Sequence, residues 1–104
     1  MSDFNVDKQG LEEALAGEKP VLIDFWAPWC APCRAMLPII NEIAEEYPNL
    51  RVVKINVDDE PDVTANYKIT SVPVIKLFVD GEEKFSVIGM ISKDALKERI
   101  DSIG

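Results

Sequence analysis

The sequence contains no histidine and only two cysteines among its 104 residues. A zinc ion in a protein is usually held by about four ligands, most often cysteine and histidine side chains. A complete zinc site within this chain would need carboxylate ligands to replace the missing types. We therefore predict no metal site.

Long apolar runs are also missing, and basic side chains are in the minority. The most hydrophobic segment, residues 21–25, is interrupted by Asp24. It is much shorter than the ~18 apolar residues that a membrane-spanning helix needs. Nineteen acidic against eleven basic side chains give a formal charge of -8. This charge repels nucleic acids and anionic membrane surfaces, so we expect neither as a partner.

The first residues, Met1 to Asn5, have neither the basic start nor the apolar run of a secretory signal. We therefore expect the cytoplasm as the compartment, where thiols are kept reduced. The length of 104 residues, 47% of them hydrophobic, fits one compact domain over residues 1–104.

The apolar pattern predicts strands that alternate with helices. Two β-rich runs, residues 21–25 and 50–57, flank a helical pattern that begins at Pro32 and ends at Pro48. This order is typical of a βαβ unit with two parallel strands. The pair Asp80-Gly81 predicts an antiparallel hairpin between residues 74–79 and 84–88.

Capping residues place three further helices. Asp7 and Gly17 mark the ends of a short first helix, Pro61 suits the first position of a third, and Ser92 caps the last. The apolar positions predicted to face inward on the last helix are Leu96, Ile100 and Ile103.

Phe4 and Asn5 are expected to form a minimal edge strand before the first helix. The predicted order of elements is thus β-α-β-α-β-α-β-β-α. This is an α/β protein with a central mixed sheet flanked by helices.

The two cysteines, Cys30 and Cys33, lie where a predicted strand gives way to a helix. Two thiols at this spacing can close into a small disulfide and reopen without disturbing the surrounding fold. A static disulfide is the alternative, but so short a loop constrains the unfolded chain little, by ~2 kcal/mol at most. The spacing therefore favours a pair that exchanges electrons with other disulfides.

The run Trp29-Cys30-Ala31-Pro32-Cys33, preceded by Asp24-Phe25-Trp26-Ala27 and followed by Val72-Pro73, resembles the motifs of the thioredoxin family. The resemblance covers almost the whole chain and implies the thioredoxin fold. Ala31 stands where most members have glycine, and Val74 where threonine is common. The other positions that match the family are Pro38, Lys54, Asp58, Gly81 and Gly89.

The resemblance implies a thiol-disulfide oxidoreductase that reduces protein disulfides. Cys30 directly precedes the second helix, whose free amide groups favour negative charge, so we interpret Cys30 as the nucleophile. Cys33, one turn further on, is then the resolving cysteine. Burial within an apolar strand favours the neutral form of Asp24. By resemblance, Asp24 moves the Cys33 proton, with Lys54 nearby.

The resemblance also implies a cis Val72-Pro73 bond and a substrate-binding surface around the cysteines. It implies no bound cofactor, a monomer, and two kinds of partner, a thioredoxin reductase and disulfide-containing client proteins. Two alternatives remain open: a non-catalytic binding subunit that uses the same apolar rim, or a disulfide oxidase or isomerase on the same fold. The expected substrate-binding residues are Trp29, Ala31, Pro32, Val72, Pro73, Gly89 and Met90.

Overall fold

A computed structural model describes residues 4–103 of the chain. Within them, strands and helices alternate along most of the sequence, as the apolar pattern predicts. The elements are α1 (Lys8–Ala16), β1 (Val21–Trp26), α2 (Ala31–Glu46), β2 (Arg51–Asn56), α3 (Pro61–Asn66), β3 (Val74–Val79), β4 (Glu82–Ile88) and α4 (Lys93–Asp101).

The strands form one mixed sheet in the order β2-β1-β3-β4. β1 and β2 are parallel, and α2 is the crossover between them. β3 pairs antiparallel with both β1 and β4. The carboxyl ends of β1 and β2 therefore meet at one edge of the sheet, and the chain enters α2 from that edge.

Within residues 4–103, the predicted first strand is reduced to a single bridge between Asn5 and Lys54, and the sheet has four regular strands instead of the predicted five. The reason is the cap of α1. The Asp7 carboxylate accepts a hydrogen bond from the Gly10 amide at 2.8 Å, which starts the helix directly after Val6. On its C-terminal side, the bridge therefore cannot extend beyond Val6.

Helix caps and turns otherwise follow the sequence. Ser92 caps α4 by accepting from the Ala95 amide at 3.2 Å, and Pro61 occupies the first turn of α3. One inward position was predicted wrongly: Ile103 is 36% exposed. Since α4 ends at Asp101, Ile103 lies beyond the helix and does not continue its buried face.

Side chains of β1 alternate between the two faces of the sheet. Leu22 packs in the core that α2 and α4 cover. Val21, Ile23 and Phe25 pack in the core that α1 and α3 cover. By this alternation Asp24 shares the face of Leu22, beneath α2. No helix within residues 4–103 is both long and apolar enough to cross a membrane.

Candidate active site at the start of α2

Cys30 is the residue that caps α2, and Cys33 lies in the first turn of that helix. The two form a disulfide with their Cα atoms 5.2 Å apart. Both residues are buried, Cys30 with 5% and Cys33 with 2% of its surface exposed. In the closed disulfide, both cysteines are therefore largely shielded from solvent.

The Cys30 sulfur lies at the amide groups of the helix N-terminus. It accepts a hydrogen bond from the Cys33 amide at 3.1 Å. The first amides of a helix have no carbonyl partner within it, and together they carry a partial positive charge. In the reduced protein the same position would stabilise a Cys30 thiolate, an effect for which thioredoxins themselves are a familiar example.

The loop between β1 and α2 is tied down at two points. The Cys30 amide donates to the Ala27 carbonyl at 3.2 Å. The Arg34 guanidinium, one turn into α2, donates to the Pro28 carbonyl at 2.8 Å. The direction of Arg34 could not be predicted from sequence. The Arg34 guanidinium therefore helps to hold the loop that precedes Cys30.

The Val72-Pro73 peptide bond is cis, as the resemblance implied. The Val72 carbonyl oxygen lies 3.8 Å from the Cys30 sulfur. On the other side, the Pro73 carbonyl accepts a hydrogen bond from the Gly89 amide at 2.8 Å. The predicted residues Val72, Pro73 and Gly89 are therefore joined to one another and to the disulfide.

Asp24 is buried beneath this site, with 1% of its surface exposed. Neither of its carboxylate oxygens accepts a hydrogen bond from the residues that the structure describes. Burial raises the pKa of Asp24 from 3.8 to about 6, and the positive charge of Lys54 opposes that rise. The carboxyl can thus gain or lose a proton close to neutral pH.

Lys54 lies on β2 directly opposite Asp24 and is also buried, with 6% of its surface exposed. Its ammonium group stands over the Trp26 ring, 4.8 Å from the ring centroid. Trp26 in turn packs against the buried cluster of Ala27, Cys30 and Cys33. The structure therefore places the predicted Asp24 and Lys54 side by side, with Trp26 between Lys54 and the cysteines.

Apolar side chains are exposed around the disulfide. Trp29 is 67% and Met90 58% exposed. The Trp29 indole N–H donates to an Asp58 carboxylate oxygen at 3.0 Å, which fixes one end of that exposed ring. Ala31 and Pro32 are also exposed, Val72 and Gly89 are half-buried, and Pro73 alone among the predicted substrate-binding residues is buried.

Sequence reasoning missed Ile88, which is 73% exposed at the end of β4, beside Gly89. The signal was present in the alternation of that strand. Phe85 and Val87 pack inward, so Ile88 must point to the opposite face. The exposed apolar side chains of the loop before α2 and of the end of β4 are Trp29, Ile88 and Met90. Together with Ala31, Pro32, Val72 and Gly89 they are called the rim below.

Comparisons with known proteins agree with this arrangement. The family model described as Thioredoxin matches residues 3–102. Thioredoxin from Rickettsia bellii is 42% identical over 103 residues, covering 98% of both chains. Chloroplastic thioredoxin M5 from Oryza sativa is 48% identical over 84% of this chain, which spans only 51% of the length of that protein.

Among solved structures, the oxidized form of mitochondrial thioredoxin 3 from Saccharomyces cerevisiae has a TM-score of 0.84 and 29% identity. The match covers 94% of this chain and 92% of that one. The relatives include bacterial and chloroplastic proteins. With its Cys30-Cys33 pair at the start of α2, the chain belongs to the thioredoxin family of thiol-disulfide oxidoreductases.

Proposed function

We propose that this protein is a reductant of disulfide bonds in other proteins, with Cys30 as its nucleophile. The observation that carries the proposal is the position of the Cys30 sulfur, on the Cys33 amide at the start of α2 and 3.8 Å from the Val72 carbonyl. The sulfur sits where a thiolate is stabilised and where an incoming chain can be held.

The reaction proceeds through two exchanges. The Cys30 thiolate attacks one sulfur of a client disulfide, breaks that bond, and forms a mixed disulfide while the other client sulfur leaves as a thiolate and takes a proton. Cys33 then attacks the Cys30 sulfur and releases the second client thiol. Two electrons pass to the client, and the Cys30-Cys33 disulfide forms.

Asp24 serves the second exchange. Cys33 must lose its proton before it can attack, and Asp24 lies on the sheet face that α2 covers. With its pKa raised to about 6 by burial, Asp24 is largely ionised at neutral pH yet basic enough to accept a proton. Transfer from Cys33 would pass through water. The positive charge of Lys54 beside the Asp24 carboxylate lowers the free-energy cost of burying that carboxylate.

The rim holds the client. Val72 precedes β3, and its backbone can hydrogen-bond an extended client segment in the manner of an added strand. The exposed side chains of Trp29 and Met90 contribute apolar contacts to the client. This mode of binding recognises the main chain and the shape of the client segment, so it suits many different clients.

Regeneration needs an external reductant, because the cycle leaves the chain oxidised. We assign this step to a thioredoxin reductase. We also assign the protein to the reducing cytoplasm. The supporting observations are the family and the redox pair itself, which requires a supply of electrons after every turnover. The chain's own residues need no bound cofactor for the two exchanges.

Trapping tests the assignment of the two cysteines. Cys33→Ser should accumulate a covalent complex with a disulfide-containing client such as insulin, because the first exchange proceeds and the second cannot. Cys30→Ser is the matched control and should trap nothing. Trapping by Cys30→Ser instead would reverse the roles.

The exposed rim favours one further possibility, a binding subunit that does not cycle its cysteines. The variant that carries both substitutions separates the two functions. Loss of client association in that variant supports the reductase, whereas unchanged association with a partner protein would support the binding role.

A further inference from the structure

We propose that Asn5 is a positioning residue for the buried Asp24-Lys54 pair, and that it acts through the Trp26 ring. The inference deepens the proposed function, since Asp24 matters for catalysis only if it moves the Cys33 proton. The chain of contacts from Asn5 to Asp24 does not depend on that catalytic role and can be tested separately.

Asn5 is anchored to the strand that carries Lys54. The Lys54 amide donates to the Phe4 carbonyl at 2.7 Å, and the Val6 amide donates to the Lys54 carbonyl at 3.0 Å. These two bonds flank the bridge that pairs Asn5 with Lys54. The main chain around Asn5 is therefore fixed relative to Lys54, although only this one residue pair forms in the part of the chain that the structure describes.

The Asn5 side chain fixes Trp26. Its amide oxygen accepts a hydrogen bond from the Trp26 indole N–H at 2.8 Å. An indole has only this one donor, so the bond sets the rotation of the ring about its attachment. Packing against the cysteine cluster holds the other side of the ring. Together the two contacts define where the face of the indole lies.

The face of the indole then holds the Lys54 ammonium, 4.8 Å from the ring centroid. A lysine side chain has a flexible four-carbon stem and a compact charge, so its head goes where its partners place it. A cation over a tryptophan face is attracted by the negative face of the ring. Rotating the ring away would remove one of the partners that hold this ammonium group.

Lys54 is the charge that acts on Asp24. The two face each other across β1 and β2, and Lys54 lowers the pKa of Asp24 against the effect of burial. On the other side, β3 presents Ile75 opposite Asp24. The buried face of α2 carries Cys33 and apolar residues, and the disulfide does not titrate. The acidic residues that line the cavity beside Asn5 and Trp26 are Asp7, Asp59 and Glu60.

The test is an NMR titration of the Asp24 carboxyl in the oxidised protein, which requires no catalysis. Asn5→Leu removes the acceptor oxygen and keeps the size of the side chain. Asn49→Leu makes the same change at an exposed position in the turn before β2 and serves as the control. Asn5→Ala removes the same oxygen with a smaller side chain and replaces Asn5→Leu if that variant fails to fold.

We expect Asn5→Leu to shift the Trp26 indole N–H resonance and to raise the midpoint of the Asp24 titration by about half a pH unit, since Lys54 is held less well. Asn49→Leu should leave both unchanged. In a Trp26→Phe background, which keeps a ring but has no N–H donor, Asn5→Leu should have no further effect on the midpoint.

Three results would overturn the proposal: an unchanged indole resonance, an unchanged Asp24 midpoint, or a shift that persists in the Trp26→Phe background. Failure of the proposed function looks different. In that case the titration would move as expected while the Cys33→Ser variant traps no client.

Discussion

Asp24 and Lys54 occupy directly paired positions on the parallel strands β1 and β2, and both are buried. The pair is not balanced, because burial raises the pKa of Asp24 more than Lys54 lowers it. The fold thus keeps a carboxyl that costs stability when it ionises, and a costly buried charge of this kind is typical of a functional group.

Asp24→Asn should stabilise the oxidised protein, and the gain should grow with pH. The folded-state pKa of about 6 lies above the ordinary 3.8, so the folded protein holds the Asp24 proton more tightly than the unfolded chain. The stability that this proton contributes to the folded protein is fully present below pH 3.8 and is lost as pH rises through about 6. Denaturant unfolding should show a gain about 2–3 kcal/mol larger at pH 8 than at pH 4.

Asn49→Leu, at an exposed position that carries no titratable group, is the control for that experiment and should show no such change between the two pH values. A gain for Asp24→Asn that is equal at pH 4 and pH 8 would show that the carboxyl does not titrate in this range.

Asp24→Asn should also slow resolution of the mixed disulfide at neutral pH, because Cys33 loses the group that accepts its proton. A positioned general base contributes ~100-fold or more, so we expect a slowing of about that size, measured by quenched-flow release of a labelled client thiol. The slowing should shrink as pH rises and hydroxide deprotonates Cys33 unaided. Equal rates for both proteins across the pH range would remove Asp24 from the reaction.

Gly10→Ala should destabilise the protein, although alanine is the better helix former by about 1 kcal/mol. A Cβ at Gly10 would lie 2.8 Å from the Cβ of Val6. Relieving that contact must move the segment that pairs with β2, and overpacking of this kind typically costs ~1–3 kcal/mol. Thermal unfolding should show a net loss, while Gln9→Ala, exposed in the same turn, should be nearly neutral. A higher melting temperature for Gly10→Ala would mean that Val6 moves aside freely.

Local chemistry made most of the fold predictable. The hairpin at Asp80-Gly81 has positive φ at both residues, 53° and 78°, as the turn preferred between twisted strands requires. Lys68, just after the end of α3, also lies in the left-handed region, with φ 57°. Such features depend on a few neighbouring residues, so the sequence carries them directly. The start of β4 was less well predicted, because Glu82 and Glu83 pair with β3 although they are polar.

The errors have a common physical origin. Whether Phe4 and Asn5 form a strand depends on where the cap of α1 interrupts them, and whether Ile103 is buried depends on where α4 ends. Likewise, no local pattern indicates that Asn5 meets Trp26, 21 positions away. The site residues in the Cys30-Cys33 segment were predictable because they are consecutive, whereas the partners that orient them come from distant parts of the chain.

Equilibration of the protein with defined glutathione buffers would show whether the Cys30-Cys33 pair is a reductant. The redox state would be scored by thiol trapping after equilibrium is reached from both the oxidised and the reduced protein. We expect a midpoint more reducing than that of the glutathione couple, so that the dithiol predominates only at very high ratios of reduced to oxidised glutathione. A midpoint on the oxidising side, or a disulfide that does not exchange, would contradict it.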